Sequence, residues 1–464
     1  MKRYHRYRKF GKRSRYRLFP VRLSDPFWYG MLILLCLLII GGLQAALTHR
    51  EEGMQGERKK GSQEQKEEEE PQEEKWEIVV NNPNIRVLLM TDGYVGLTHP
   101  SVEVCAGGGM VIVSGEESRE TEPGQAVTFA PDDPGFQNGN IRITARDGGE
   151  ITLNSIKRNC GTPSYAGTLE LRTTAEGIVI INELPLETYL CKVVPSEMPP
   201  SYELEALKAQ AVCARSYAYR QMTGFGYPEY EAHVNDSTDY QVYGNSNAQE
   251  STNRAVMETQ GQVVRYQGQI VTTYYYSTSC GKTAGPEAWG TEINEGNQYL
   301  QSVEVKDESG DYEAGLPWYR WEARIPADTL SGLISRQTGT DIGTLQNVEV
   351  TKSGAGGIAL QICAAGSKGT VTVDTENKIR RALGGSGYEI VKQDGTTAAG
   401  SALLPSAFIT IRKEGETFVI SGGGFGHGIG MSQNGANEMA KKGKSYIDIL
   451  TLFFHDVEIQ AGDS

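Results

Sequence analysis

The sequence predicts an α+β fold in which β-rich segments bracket a two-helix core, preceded by one transmembrane helix and a disordered acidic linker. Three observations carry that expectation. Between Glu77 and Ile181, short aliphatic and β-branched runs (IRVLLM, GMVIVSG, QAVTF, IRITA, TLELRTT, GIVIINE) alternate with clusters of Gly, Pro, Asp and Asn, the pattern of antiparallel strands and turns. From Leu184 to Gly224 the apolar spacing switches to three and four, one face of a helix. Ahead of both, Phe27 to Leu47 is an uncharged apolar run, about as long as a helix that crosses roughly 30 Å of hydrocarbon.

Taken in order, residues 1–26 hold ten Lys or Arg against Asp25, a charge of +9, and the positive-inside rule makes them a basic cytoplasmic tail. Residues 27–47 form the expected span, with Trp28 and Tyr29 as interfacial aromatics. A cleaved signal peptide is the rival reading, but its apolar core runs to only about 7–15 residues behind a shorter basic region. The expected localisation is the cell membrane, single-pass, with the bulk of the chain extracytoplasmic. Residues 48–76 follow as a charged linker; REEGMQGERKKGSQEQKEEEEPQEEK has no aliphatic residue beyond one Met and cannot bury enough surface to fold. The whole chain carries a net charge of −13, so everything beyond the tail stands at −22. That acidity argues against polyanionic partners such as nucleic acid or teichoic acid. The basic tail alone would suit nucleic acid, but beside a membrane span it reads as orientation and contact with anionic lipid.

Residues 77–464 are the expected exterior domain, with a core over 164–460. Pro185 suits a first helical turn, and Leu186, Tyr189, Leu190, Val193 and Val194 make one stripe that stops before Pro195. A second helix, Glu203 to Met222, carries Ala206, Ala209, Ala211, Ala214 and Ala218, which lets its neighbours approach closely. More strands follow in GQVVRYQGQIVTTYYYSTSCG, then a weakly patterned region around 300–410. The chain closes as strand, glycine-rich turn, two short helices and a last strand. There is no internal repeat. Cys36 lies in the expected span; Cys105, Cys160, Cys191, Cys213, Cys280 and Cys363 are scattered rather than paired as CxxC, which leaves their pairing open and fits buried thiols equally.

Glu197, in VPSEMPP, is the leading chemical candidate. A general acid needs a partly desolvated site that raises its pKa and a fixed position, and Pro195, Met198, Pro199 and Pro200 supply both. The same string also reads as a helix-cap fragment around Ser196. Arg215 projects from the small-residue face of the second helix; alone, it reads as a snorkelling or surface-paired arginine unless Glu197 is near. His427 sits in GGGFGHGIGMSQ, where flanking glycines let the backbone approach a ligand, or where a histidine merely fills a tight turn. No βαβ unit follows, so the run is not a dinucleotide fingerprint. Cys280 lacks any local activating group for Cys–His hydrolysis. His233, Asp236 and Asp239 in HVNDSTDYQVYG are close in sequence, but without a second His or a Cys they support zinc weakly.

The string LPLETYLCKVVPSEMPPSYELEALKAQAVCARSYAYRQM resembles the signature of the stage II sporulation protein D family, which includes the amidase-enhancer proteins of bacterial walls. Later strings agree in order: DYQVYG, then ETQGQVVRYQGQIVTTYYYSTSCGKTAGPEAWG, then GFGHGIGMSQNGANEMAKKGKSYIDIL, over about Ile85 to Ile459. The resemblance implies a peptidoglycan lytic transglycosylase acting on glycan strands stripped of stem peptides, with no cofactor. It makes Glu197 the catalytic glutamate and Arg215 an arginine of the same site, and it brings His427, Gln241, Ser432 and Gln433 in as substrate-binding residues. Some clostridial members hold zinc through Cys and His just before the shared glutamine; here Asp239 and Tyr240 stand there, so no metal is expected.

That chemistry also accounts for the lack of an evident second carboxylate beside Glu197. Glycoside hydrolases need two, whereas attack by the substrate's own C6 hydroxyl needs one residue that gives and then takes a proton. A tight Arg215–Glu197 pair would lower the acid's pKa, so Arg215 is expected to bind sugar or anchor the loop. The expected role is wall remodelling in sporulation, during engulfment, beside a membrane-anchored cell-wall amidase. The alternative is a non-catalytic enhancer of an N-acetylmuramoyl-L-alanine amidase.

Overall fold

The computed structural model describes residues 82–461. The basic tail 1–26, the expected span 27–47 and the linker 48–76 lie outside the described residues. Two expectations are corrected. Among the described residues no helix is long and apolar enough to cross a membrane, so a membrane-spanning fold and a single-pass localisation have no support. Nor do sheets simply bracket one two-helix core. Helix and strand alternate along the described chain as seven α-helices and seven sheets; a parallel pair (Val87 with Val234) makes the seven-stranded sheet mixed, and another (Tyr275 with Met431) forms a two-stranded parallel sheet.

The N-terminal part is a seven-stranded sheet with Asn84–Leu89 and Gly177–Pro185 side by side, facing a four-stranded sheet built on Val102–Ala106. Why GIVIINE is apolar throughout follows from its place. Ile178 and Ile180 enter the main core while Val179 and Ile181 pack on the opposite face with Leu88 and Ala232, so the period-two alternation buries both sides.

That strand runs straight into helix α1 (Leu186–Glu197), followed by α2 (Leu204–Gln221). The expected stop before Pro195 is corrected, because α1 continues through the proline to Glu197. Pro195 has no N–H to give, yet the turn survives. The Ser196 hydroxyl donates to Lys192 O at 2.6 Å and Met198 N–H donates to Val194 O at 2.9 Å, after which Pro199 and Pro200 end the run. Glu197 is therefore the last residue of a helix, not a loop residue. The alanines of α2 are fully buried, and their small size lets α1, α3 (Glu250–Glu258) and the strand Gln262–Tyr266 crowd around it.

The weakly patterned region is a second structural layer with its own hydrophobic core. A five-stranded antiparallel sheet (centre Trp321–Pro326), a three-stranded sheet, and helices α4 (Ala327–Thr338) and α5 (Glu376–Leu383) enclose Ile325, Leu330, Ile334, Ile362, Phe418 and Ile420. The main core then resumes. Met431–Ser432 pairs in parallel with Tyr275–Tyr276, and α6 (Gln433–Lys441) and α7 (Tyr446–Phe453) pack back on α2.

Candidate active site

Glu197 is fixed at both ends. Its backbone carbonyl accepts from Gln433 Nε2 at 3.1 Å, and its Oε1 accepts from the Val242 N–H at 2.7 Å. Burial pushes the carboxyl up to about 7, and the Val242 amide and the Tyr275 hydroxyl offset part of that rise. Among the described residues no guanidinium or ammonium forms an ion pair with it. The carboxyl opens on a cavity of about 350 Å³, walled by Tyr217, Tyr274, Tyr275, Trp289 and His427 with Thr238, Asp239 and Tyr240 at its mouth. A half-neutral acid against aromatic faces can protonate an oxygen of a ring-shaped, weakly polar ligand.

The remaining candidates divide by what they touch. Buried Gln241 donates from Nε2 to the Tyr275 hydroxyl (3.1 Å) and Ala214 O (3.3 Å) and accepts from the Tyr189 hydroxyl (3.4 Å), so it aims Tyr275 at Glu197 and is itself spent. His427 does line the cavity. The Ile429 N–H donates to its Nδ1 at 3.1 Å, which leaves the proton on Nε2 to reach Tyr275 O at 3.0 Å, and burial lowers its pKa to about 4. It is a neutral wall, tilted against Tyr276 and Trp289 at 5.4 and 5.2 Å, with no ring nitrogen to spare. The glycines make this approach possible: at Gly430 (φ +77°) a Cβ would sit 2.2 Å from Tyr274 O.

Arg215 is elsewhere. It is fully buried and grips Glu187 with two hydrogen bonds of 2.7 Å, while also donating to Gln262 O and Val256 O. Glu187 and Glu197 lie at opposite ends of α1, ten residues or about 15 Å apart along the axis, so this ion pair ties helices together away from the cavity. Ser432 caps α6 by accepting from the Gly435 N–H at 3.2 Å and donates to Glu313 at 2.8 Å; it does not line the cavity. Gln433 holds the Glu197 backbone and Gln210.

Cys280 lines a different depression, beside Arg320, and burial raises its thiol to about 11. Of the weak metal candidates, Asp236 is locked to Arg158 at 2.6 Å, His233 accepts from the Arg86 N–H at 3.0 Å, and Asp239 is exposed at the cavity mouth. Among the described residues no three such side chains cluster as a metal would need. All six described cysteines are free thiols.

Sequence reading missed Tyr217, Tyr274, Tyr275 and Trp289 as cavity walls and Val242 as the amide that holds the acid. It also saw no second carboxylate, whereas Asp239 shares the cavity with Glu197. The run of three tyrosines at 274–276 was the available signal, since aromatic residues crowd where rings are bound.

A family model described as stage II sporulation protein matches residues 174–266, and one described as a domain of unknown function (DUF8618) matches 291–430. The first covers α1, α2, Glu197 and Gln241; the second covers the layer with its own core. The chain is 30% identical over 281 residues to the amidase enhancer of Bacillus subtilis (strain 168), which is 56% of this chain but only 39% of that protein. It is 30% identical over 298 residues to stage II sporulation protein D of Bacillus amyloliquefaciens, 61% of this chain and 76% of that one. The corresponding Bacillus subtilis protein is 29% identical over 299 residues, with shares of 61% and 77%.

Proposed function

We propose that this chain, which belongs to the stage II sporulation protein D family, is a lytic transglycosylase that cuts peptidoglycan strands from which stem peptides have been removed. One observation carries the reading: a glutamate held by a backbone amide at 2.7 Å and raised to about 7 lies in a cavity walled by aromatic rings. Near neutral pH about half of such an acid is protonated, so it can give its proton to the glycosidic oxygen as the bond to the anomeric carbon breaks. The carboxylate left behind then takes the proton of the C6 hydroxyl as that oxygen bonds to the anomeric carbon. The products are an anhydro-muramyl end and a free hydroxyl on the leaving sugar, and no water is consumed. Val242 and Tyr275 steady the carboxylate between the two transfers.

Mass spectrometry of products from purified protein and denuded glycan tests this: anhydro-muramyl ends support it, and reducing ends or intact strands overturn it. A second reading is favoured by the similarity to a protein named amidase enhancer. On that reading the cavity binds glycan without cutting it, and the protein raises the activity of a cell-wall amidase. The same assay with an amidase present separates the two, because an enhancer increases peptide release and yields no anhydro ends.

A further inference from the structure

We infer that the second layer does more than fill its own core: the buried Glu376–Arg380 pair of α5 positions one wall of the Glu197 cavity, holding both Trp289 and His427, a role that rests on the catalytic reading of Glu197 above. Trp289 and His427 line that cavity with ring centroids 5.2 Å apart, and Trp289 also meets the Tyr274 ring edge-on at 4.7 Å.

The link to Trp289 begins with a turn. Pro286–Trp289 packs against α5, and just beyond it a Cβ on Gly290 would lie 3.4 Å from the Thr375 methyl. Thr375 precedes α5 at φ +69°, a backbone region that residues with a side chain rarely adopt, and its N–H is tied to Leu360 O at 2.9 Å. That strained step makes Glu376 the first residue of the helix. Arg380 Nη1 donates to Glu376 Oε1 at 2.7 Å, and among the described residues nothing but the Trp289 indole N–H, which faces the carboxyl, is left to claim the buried Oε2. An indole can only donate, so a buried acceptor fixes which way its ring turns. Burial raises the Glu376 carboxyl, and the Arg380 guanidinium and the Trp289 N–H offset part of that rise.

The link to His427 runs through the other member of the pair. Arg380 Nε donates to Leu404 O at 2.8 Å, and the Arg380 carbonyl accepts from the Leu404 N–H at 3.0 Å. The carbonyl of the next residue, Pro405, accepts from the Gly426 N–H at 2.9 Å, and Gly426 precedes His427. The Arg380 charge also adds to the burial that keeps His427 neutral. One ion pair on one helix thus reaches both rings. A wall held in this way loses little freedom when a ligand meets it, so its worth is felt in binding and not in proton transfer.

The test replaces the pair whole, Glu376→Leu with Arg380→Met, because apolar residues of similar volume keep a fold that the loss of one partner alone endangers. With denuded glycan as substrate, KM is expected to rise about tenfold while kcat stays within about threefold, since Glu197, Val242 and Tyr275 are untouched. Trp289→Phe, which keeps a ring and drops the N–H, should raise KM as well and add nothing further to the pair variant. Glu376→Gln, which leaves the indole an acceptor, should keep most of the wild-type KM. The Trp289 indole N–H resonance, identified by its loss in Trp289→Phe, should shift in Glu376→Gln; an unmoved resonance overturns the contact even if the pair variant does not fold. An unchanged KM, or a fall in kcat alone, overturns the positioning role and leaves the transglycosylase standing. If the wild type releases no anhydro ends, the reaction falls and the same variants are read by glycan affinity: binding about tenfold weaker supports the role, and equal binding overturns it. A wild type that binds no glycan overturns both.

Discussion

Two glutamates in this molecule are pushed by burial to about 7, and they do different things. Glu313 is fully buried beneath the Met431–Ser432 pairing. One of its oxygens accepts from the Ser279 N–H at 2.9 Å and the Ser432 hydroxyl at 2.8 Å, and the other accepts from the Ser279 hydroxyl. Sealed from solvent, it locks the segment after Tyr276 to the start of α6. Glu197 has one oxygen on a backbone amide and opens on a walled hollow. A displaced pKa therefore reports desolvation in both places; what separates a candidate catalyst from an internal fastener is access to a ligand.

The largest expected effect tests that contrast directly. Glu197→Gln should reduce the release of anhydro-muramyl ends by about 10²–10⁴-fold with no loss of melting temperature, because the amide keeps the shape and loses the proton. Glu313→Gln should leave turnover within about tenfold. The pH dependence follows from the same value: the acid must be protonated to act, so the rate should fall as pH rises through about 7. A rate that instead climbs between pH 6 and 8 would mean that Glu197 works as a base.

Next in size is Arg215. Removing a fully buried guanidinium strands Glu187, and breaking such a pair costs about 3–5 kcal/mol. Arg215→Ala should therefore lower unfolding free energy by that order in a denaturant titration and lose activity only through unfolding. A folded, equally stable Arg215→Ala protein with no turnover would instead move this arginine into the reaction.

Arg215 also marks where the sequence stops being legible. Its spacing on α2 placed it among small buried residues, but its partner Glu187 sits at the far end of the preceding helix, a distance no local pattern encodes. Glu197 could be read because proline-rich chemistry around one carboxylate is local. Pro195 misled for the opposite reason: a side-chain hydroxyl one residue on supports the turn that proline alone would break. The second core, over residues 321–422, was illegible because its strands are half-buried on irregular faces; Leu345–Ser353 buries only Leu345 and Val348. Tyr275 reaches Glu197 from 78 positions away, and only the fold brings them together.

A smaller effect sharpens the sealed side of the comparison. Glu313 has a folded pKa of about 7 against an ordinary 4.5, so the folded protein holds its proton more tightly than the unfolded chain does. The burial cost is absent below about pH 4.5, grows as pH rises from 4.5 to 7 while the unfolded chain ionises, and is constant above, an amount on the order of 3 kcal/mol. Unfolding free energy measured from pH 5 to 8 should thus decline in the wild type and decline less in Glu313→Gln, the remaining slope belonging to Glu197. Parallel curves for the two proteins would show that Glu313 does not titrate there.

The smallest expected effect concerns the carboxylate that sequence reading did not place beside Glu197. Asp239 is exposed at the mouth of the same cavity, where a two-carboxylate hydrolase would keep the group that activates water. The internal hydroxyl route leaves it no proton to move. Asp239→Asn should then change turnover by less than about threefold, in keeping with the small worth of exposed charges, and the product should stay anhydro with no oxygen taken from heavy-oxygen water. If the substitution instead removes activity, and the wild-type product carries solvent oxygen at its reducing end, the pair Glu197 and Asp239 hydrolyses glycan. The cavity would then be that of a hydrolase, with access to water, not to the substrate's own hydroxyl, as its defining property.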